Sequence, residues 1–203
     1  MSKQPDHYFS REPATPEERR QVHVTLDGRD LTLTTANGVY SPDRLDLGTA
    51  VLLRGAPHPS PSGDLLDIGC GWGPIALTLA LRSPQARVWG VDVNRRALDL
   101  ARLNAAAAGL HNLTFCEPED VPAEVRFETI WSNPPIHVGK PALHALLEQW
   151  LPRLSPDGRA HLVVQKHLGS DSLQKWINAQ DWALTCSRLS SSKAFRILEI
   201  RHS

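Results

Sequence analysis

The segment Leu65-Leu66-Asp67-Ile68-Gly69-Cys70-Gly71-Trp72-Gly73-Pro74 decides the fold of this chain. It joins a short apolar run to a glycine-rich loop, and the loop leads into a helical stretch from Pro74 to about Arg82. Similar apolar runs and helical segments alternate further along the chain. This alternation predicts βαβ units in a mostly parallel sheet, with right-handed crossovers. We therefore expect a doubly wound α/β domain.

The pattern of the remaining chain fills in this architecture. Strands are predicted at 65–68, 87–91, 113–116, 127–131 and 160–165, helices at 74–82, 95–108, 141–151 and 171–180, and a closing antiparallel hairpin at 182–189 and 194–200. Residues 22–26 and 31–34 alternate with period two around Asp27-Gly28, which is typical of a β-hairpin with a tight turn. We expect residues 1–60 to form an arm and hairpin extension packed on the α/β domain at 61–203.

Composition narrows the function classes. The 203 residues carry 22 basic and 22 acidic side chains and are 41% hydrophobic, as in an ordinary globular protein. Zero net charge argues against coating of nucleic acid by bulk electrostatics alone. Three scattered cysteines predict neither a disulfide framework nor a zinc site, so we expect a cytoplasmic protein without a metal. The most apolar stretch, residues 65–81, is shorter than a membrane span.

The glycine loop indicates a nucleoside-like ligand. Glycines at such a strand-to-helix turn let the backbone approach a ligand across the strand ends. Asp92 ends the second strand, where its carboxylate can accept hydrogen bonds from two ribose hydroxyls. Gly71-x-Gly73-x-x-Ala76 also fits a loose dinucleotide pattern, so a nicotinamide-dependent oxidoreductase stays open. The acidic Asp67 counts against a pyrophosphate and suits the ammonium group of a methionine moiety.

A second segment, Ser132-Asn133-Pro134-Pro135-Ile136-His137, directly follows a strand. Two successive prolines remove two backbone donors, which leaves the Asn133 side chain and the Pro134 carbonyl to face a ligand. Together they can accept both N–H groups of a planar exocyclic amine. Accepting both protons favours a pyramidal nitrogen whose lone pair can attack a methyl group. Catalysis of this type depends on orientation and electrostatic stabilisation and needs no strong base.

With these motifs, the sequence resembles Rossmann-like class I S-adenosylmethionine-dependent methyltransferases of the Asn-Pro-Pro branch. The closer resemblance is to the small-subunit ribosomal RNA guanine-N2 methyltransferases of the RsmC type, over nearly the whole chain. The motifs that carry it are His7-Tyr8-Phe9-Ser10, Gly38-Val39-Tyr40-Ser41, Asp46-x-Gly48-Thr49, the glycine loop, Asp92-Val93-Asn94-Arg95-Arg96-Ala97, Ser132 to Lys140, and Lys193-Ala194-Phe195-Arg196-Ile197. Each motif is short, but their order and spacing are specific.

The resemblance implies a seven-stranded sheet, S-adenosylmethionine as cofactor, and ribosomal RNA or the small ribosomal subunit as partner. The cofactor residues that it implies are Asp67, Gly69, Cys70, Gly71, Asp92, Val93, Glu117, Asn133 and Thr49, with Glu117 at the adenine amine. The target amine would be held by the catalytic set Asn133, Pro134 and Pro135. The substrate residues are Ile136, His137, Lys140, Tyr40, Phe195 and Arg196.

Other functions stay open at this point. Many relatives place an aromatic residue after the two prolines, whereas this chain has Ile136, which puts the base-stacking contribution in doubt. Methylation of adenine or of a protein glutamine amide, both of which use the Asn-Pro-Pro device, is a neighbouring alternative. A non-catalytic RNA-binding module with the same fold is another.

Charge is distributed unevenly along the chain. Residues 1–135 hold 13 basic and 17 acidic side chains, whereas residues 136–203 hold 9 basic and 5 acidic ones. We expect Lys140, Lys166, Lys193, Arg196 and Arg201 to form a basic rim on the target side of the cleft. RNA binding should then weaken with salt. The sequence does not indicate an oligomeric state.

Overall fold

Strands and helices alternate through residues 11–13, 15–192 and 194–203, the parts of the chain that the computed structural model describes. The strands are β1 Arg19–Leu26, β2 Arg29–Ala36, β3 Asp64–Ile68, β4 Arg87–Val91, β5 Leu113–Cys116, β6 Phe127–Ser132, β7 Leu154–Gln165, β8 Leu184–Ser191 and β9 Phe195–His202. The helices are α1 Leu47–Gly55, α2 Pro74–Arg82, α3 Arg95–Ala107, α4 Lys140–Trp150 and α5 Ser170–Asn178. His7 to Ser10 and Lys193 lie outside the described residues.

Seven of these strands form one sheet in the order β5-β4-β3-β6-β7-β9-β8. All neighbours pair in parallel except β9, which is antiparallel to both β7 and β8. The doubly wound α/β fold with a closing antiparallel hairpin is therefore confirmed. The chain reverses its direction of winding between β3 and β6, and the crevice at such a switch point is where open α/β sheets bind ligands. Ile68 of β3 pairs with Ser132 of β6, so Gly69 and Asn133 leave the sheet side by side.

The predicted N-terminal hairpin is also present, as a separate two-stranded sheet of β1 and β2. Its turn residues Asp27 and Gly28 have φ values of 49° and 75°, as a tight turn of this kind requires. Asn104 of α3 fixes the hairpin to the core, because its side chain accepts from the Thr34 amide and donates to the Thr34 carbonyl. The same side chain donates to the carbonyl of Trp72 in the glycine loop, which links the hairpin to the cleft.

Helix α1 is the element that the pattern analysis did not predict. Asp46 begins it as the N-cap, with its side chain accepting from the Thr49 amide at 3.0 Å. Leu52 and Leu53 are buried, in the same core cluster as residues of β7 and β9. The helix is only 9 residues long, and such short segments form through tertiary packing rather than through intrinsic propensity.

Apolar side chains cover both faces of the large sheet. One core lies under the hairpin and α1 to α3, and the other lies under α4 and α5. Strands buried on both faces read as continuous apolar runs, which explains why the short runs in the sequence predicted them. No helix in the described parts of the chain combines the length and the apolar character needed to cross a membrane.

Candidate functional site

The carboxyl ends of β3, β4 and β6 border a cleft of about 290 Å³. Eleven residues singled out from the sequence line it: Tyr40, Gly69, Gly71, Asp92, Val93, Asn133, Pro134, Pro135, Ile136, His137 and Phe195. Thr49 and Cys70 line a smaller adjoining cavity, together with Gly69, Gly71 and Asn133. Segments that are distant in the sequence therefore meet at one switch point of the sheet.

The glycine loop forms one wall of the cleft. The amides of Gly69 and Cys70 both donate to the Val91 carbonyl, at 2.9 and 3.0 Å. Gly71 has a φ of +54°, and a Cβ built on it would meet no protein atom within 4 Å. The loop therefore leaves open space where a ligand can approach the backbone.

Asp92, at the end of β4, lies next to this loop and is bonded to it. One carboxylate oxygen accepts from the Gly71 amide and the other from the Asn94 amide, both at 2.9 Å. A carboxylate has about four acceptor positions, so each oxygen retains capacity for a hydroxyl donor. Burial raises the pKa of Asp92 above its usual value. The geometry suits a carboxylate that holds a diol.

Asp67 lies beneath the loop, fully buried, rather than in the lining of the cleft. Its Oδ2 accepts from the Ala76 amide at 2.9 Å, whereas no described residue is bonded to its Oδ1. Burial raises the pKa of this carboxyl well above its usual value. Buried polar atoms in folded proteins are normally hydrogen-bonded, so an orphaned carboxylate oxygen next to a ligand cleft calls for a donor.

Asn133 follows β6 at the other side of the switch point. Its Nδ2 donates to Asp46 Oδ2 at 2.7 Å and to Thr49 Oγ1 at 3.2 Å. No described residue donates to its Oδ1. Pro134 is buried beside it, and both prolines line the cleft. The amide side chain therefore has its donors engaged and its acceptor available.

Glu117 lies in a different environment from the one expected for an adenine contact. Its carboxylate accepts from Arg95 Nε at 2.7 Å and pairs with Arg11 Nε at 3.1 Å. The hydrogen bond from Arg95 holds the pKa of Glu117 below its usual value. The neighbouring Pro118 lines the cleft instead. Arg95 and Arg11 thus both pair with the Glu117 carboxylate, to which the resemblance assigns a contact with the adenine amine.

Arg196 and Lys140 also lie outside the lining of the main cleft. Arg196 Nη1 bonds to Ser170 Oγ at 3.0 Å and pairs with Asp171, so its charge is held by α5. Lys140 lines a second cavity of about 170 Å³ next to the first, where the rings of His144 and Trp176 stack with centroids 3.8 Å apart. Of the expected basic rim, Lys193 lies outside the described residues. The prediction was wrong for Arg201, which pairs with Arg159 of β7 at the opposite end of β9 from Phe195 and the cleft.

The side chains of Cys70 and Trp72 in the glycine loop are both buried. Burial raises the pKa of the Cys70 thiol well above its usual value, which disfavours a nucleophilic thiolate. Trp72 is buried, and its indole N–H donates to the carbonyls of Tyr40 and Ser41, at 3.2 Å each. Trp72 therefore anchors the segment that carries Tyr40 to the edge of the cleft.

The lining of the cleft also includes residues to which the pattern analysis assigned no role, among them Asp46, Gln165 and Leu168. Asp46 was visible in the sequence as part of Asp46-x-Gly48-Thr49, but only the fold shows that this motif faces Asn133. Gln165 ends β7 and Leu168 follows it, and neither carries a local sequence signal. Among the described residues, no three His, Cys, Asp or Glu side chains are grouped as a metal would require.

Comparison with known proteins gives the family. The model of the methyltransferase small domain matches residues 30–199. The chain belongs to this family. This chain is 33% identical over 170 residues to a Bacillus subtilis (strain 168) protein named "Uncharacterized protein YbxB", and the match covers 82% of this chain and 85% of that protein.

The relatives whose names state a function are longer than this chain. It is 38% identical to the ribosomal RNA small subunit methyltransferase C of Aeromonas hydrophila over 68% of this chain, and it spans 39% of that enzyme. Among solved structures, it matches the T. Thermophilus 16S rRNA N2 G1207 methyltransferase (RsmC), in complex with AdoMet and guanosine, with a TM-score of 0.79. That match has 24% identity and covers 94% of this chain and 52% of the other. The resemblance to RsmC-type enzymes is confirmed, and the family match favours a methyltransferase over the oxidoreductase alternative.

Proposed function

We propose that this protein transfers a methyl group from S-adenosylmethionine to the N2 amine of a guanine in the RNA of the small ribosomal subunit. The observation that carries the proposal is the Asn133 side chain, which lies beside the glycine loop with both amide hydrogens engaged and Oδ1 available. The names of two relatives, ribosomal RNA small subunit methyltransferase C and 16S rRNA N2 G1207 methyltransferase (RsmC), support the choice of substrate.

The residues of the cleft fit the proposed cofactor. The orphaned Oδ1 of Asp67 supplies an acceptor for an ammonium group, although it lies beneath the cleft lining. Asp92 can hold a ribose diol with its remaining acceptor positions, and Val93 offers an apolar surface for the adenine. Gly69 and Gly71 leave the space that the ligand needs. When bound, the cofactor supplies an electrophilic methyl group on a sulfonium.

The chain's own contribution to the reaction is orientation of the amine. Asn133 Oδ1 and the Pro134 carbonyl accept the two N–H groups, so that the nitrogen becomes pyramidal and its lone pair leaves the ring plane. The nitrogen would form a bond to the methyl carbon as the carbon–sulfur bond breaks, and one of its protons would then pass to solvent. A well-oriented reacting pair gains much of its rate from position alone. Ile136 and Phe195, which both line the cleft, offer apolar surfaces to a purine.

The choice of RNA as partner is supported by the charge distribution. The part of the chain that follows the two prolines carries a net charge of +4. Lysine and arginine that neutralise phosphates supply the sequence-independent part of nucleic-acid affinity. The aliphatic Ile136 favours guanine over adenine or glutamine, because the enzymes for those targets usually follow the prolines with an aromatic residue.

The test replaces Asn133 by Ala and assays transfer from labelled S-adenosylmethionine to unmodified small ribosomal subunits, followed by nucleoside analysis. Loss of a positioned polar contact of this kind costs about 10² to 10³ in rate. We expect a loss of that size for Asn133→Ala. Binding of S-adenosylhomocysteine, measured by calorimetry, should change by only about twofold to threefold, well below 1 kcal/mol.

Asn112→Ala is the matched control. Asn112 also donates two hydrogen bonds through Nδ2, to the carbonyls of Ser83 and Ala86, but it lines none of the cavities described above. It should lose stability without losing turnover. Near-normal turnover in Asn133→Ala would refute the amine-holding role, and labelled adenosine or glutamine in place of N2-methylguanosine would refute the substrate.

A further inference from the structure

We propose that Asp46 is a positioning residue that sets the orientation of the Asn133 amide and thereby presents its Oδ1 to the target amine. The proposal rests on the function proposed above. It assigns a role to the Asp46-x-Gly48-Thr49 motif, which lies 84 residues or more before Asn133 in the sequence.

The first step of the argument is chemical. An ionised carboxylate can only accept hydrogen bonds. The Asn133 atom that lies 2.7 Å from Asp46 Oδ2 must therefore be the NH2 group. The second amide hydrogen is directed to Thr49 Oγ1 at 3.2 Å. With both donors held by α1, the carbonyl oxygen is the part of the amide left for a ligand.

The carboxylate is itself fixed by its neighbours. The Tyr40 hydroxyl donates to Asp46 Oδ1 at 2.9 Å, and the Thr49 amide donates to Oδ2 at 3.0 Å. These bonds hold the two oxygens in distinct places, so the carboxylate cannot rotate to present either oxygen to Asn133. A flipped Asn133 would place its own Oδ1 against this carboxylate, with two acceptors facing each other.

The glycine of the motif makes this approach possible. A Cβ built on Gly48 would lie 3.0 Å from Asp46 Oδ2, 3.0 Å from Phe195 Cε1 and 3.3 Å from Asn133 Nδ2. Such distances are tighter than ordinary van der Waals contact. A larger residue at position 48 would therefore have to displace these side chains, including the Asn133 amide and the Asp46 carboxylate, by a few tenths of an ångström. All three specified positions of the motif thus serve one arrangement.

The experiment separates this role from the role of Asp46 as a helix cap. Asp46→Ser keeps a good N-cap residue, but its shorter side chain cannot reach Asn133 while it caps Thr49. Asp46→Asn keeps both the helix cap and the contact with Asn133. Its single carbonyl oxygen can accept from the Thr49 amide and from Asn133 while its NH2 donates to the Tyr40 hydroxyl. The two variants should therefore have similar stability in urea unfolding.

We expect kcat on small ribosomal subunits to fall about 10- to 100-fold in Asp46→Ser, since small misplacements of a catalytic group cost rates of this order. The dissociation constant for S-adenosylhomocysteine should change by only about twofold to threefold, well below 1 kcal/mol. Asp46→Asn should restore kcat to within a few-fold of the wild type. In NMR spectra, the Asn133 side-chain NH2 should exchange slowly with water in the wild type and in Asp46→Asn, and rapidly in Asp46→Ser.

Three results would overturn the proposal. Unchanged kcat and slow amide exchange in Asp46→Ser would show that Asn133 holds its orientation without Asp46. A large loss of S-adenosylhomocysteine affinity with kcat preserved would place Asp46 on the cofactor. An equal loss of kcat in Asp46→Ser and Asp46→Asn would show that the charge of Asp46, rather than its hydrogen-bond geometry, sets the rate. A wild-type protein that methylates no RNA refutes the proposed function instead, and the NMR comparison still tests the orientation of Asn133.

Discussion

Replacement of Gly71 by Ala gives the sharpest test of the glycine loop. Gly71 has a φ of +54°, in the left-handed region, and a Cβ there would meet no protein atom within 4 Å. Gly28 in the β1–β2 turn has a φ of +75° and also has open space around a built Cβ. An alanine at either position would therefore be held in a left-handed backbone conformation without a steric clash, but only Gly71 lines the cleft.

The expected effect on stability is small and shared by both variants. Holding a non-glycine residue in the left-handed region costs about 1–2 kcal/mol. For a protein of this size, each kcal/mol lowers Tm by about 2–4 °C. Gly71→Ala and Gly28→Ala should therefore show similar decreases in Tm, because neither methyl group clashes with the protein.

The expected effect on ligand binding differs. A methyl group on Gly71 occupies space of the cleft that the cofactor needs, and an extra methyl in a fitted site costs about 1–3 kcal/mol. Affinity for S-adenosylhomocysteine should therefore fall about 5- to 150-fold in Gly71→Ala and stay unchanged in Gly28→Ala, by calorimetry. If Gly71→Ala binds as the wild type does, or if both variants lose affinity equally, the loop does not cradle the ligand.

Two buried titratable side chains carry the remaining predictions. Burial lowers the pKa of His161 below 6.5 even though its Nε2 lies 3.1 Å from Glu199. The unfolded chain then binds more protons than the folded chain just below pH 6.5, so the free energy of unfolding should fall as the pH drops from 6.5 towards the folded pKa. His161→Gln should show a flatter pH profile in urea unfolding, and an unchanged slope would contradict this reasoning. For Asp67, whose pKa burial raises, Asp67→Asn should retain or increase the free energy of unfolding at pH 8 while losing affinity for S-adenosylhomocysteine, and a strongly destabilised variant would contradict it.

Much of the fold could be predicted because its elements are signalled locally. The bounds of α2, β4 and β5 match the prediction, and α3 begins at the predicted Arg95. The apolar runs, Asn94 as N-cap and Gly109 after the helix are all visible in the sequence. Helix α1 was missed because its residues are organised by contacts with β7 and β9. The start of β7 at Leu154 was missed as well, since Pro156 and Gly158 interrupt the apolar pattern there.

Some residues of the candidate site could likewise be predicted from local sequence signals, whereas others could not. Residues that act through backbone geometry or at strand ends, such as Gly71, Asp92 and Asn133, follow from position along the chain and meet in the cleft. The environment of a residue that is contacted by distant segments could not be predicted in this way. Arg95 and Arg11 reach Glu117, and Ser170 and Asp171 reach Arg196. These partners are 22 or more residues away in the chain, so no local pattern reveals them.

The segment before β3 is part of the site rather than an attachment to it. Trp72 of the glycine loop donates to the carbonyls of Tyr40 and Ser41, and Asn104 joins that loop to β2. Tyr40 in turn donates to Asp46, and Asp46 holds Asn133. The glycine loop and Asn133 are therefore connected through residues 34–49 as well as through the sheet. Because a transfer reaction depends on the relative position of its two reactants, substitutions in residues 34–49 should lower turnover more than they lower affinity for either ligand alone.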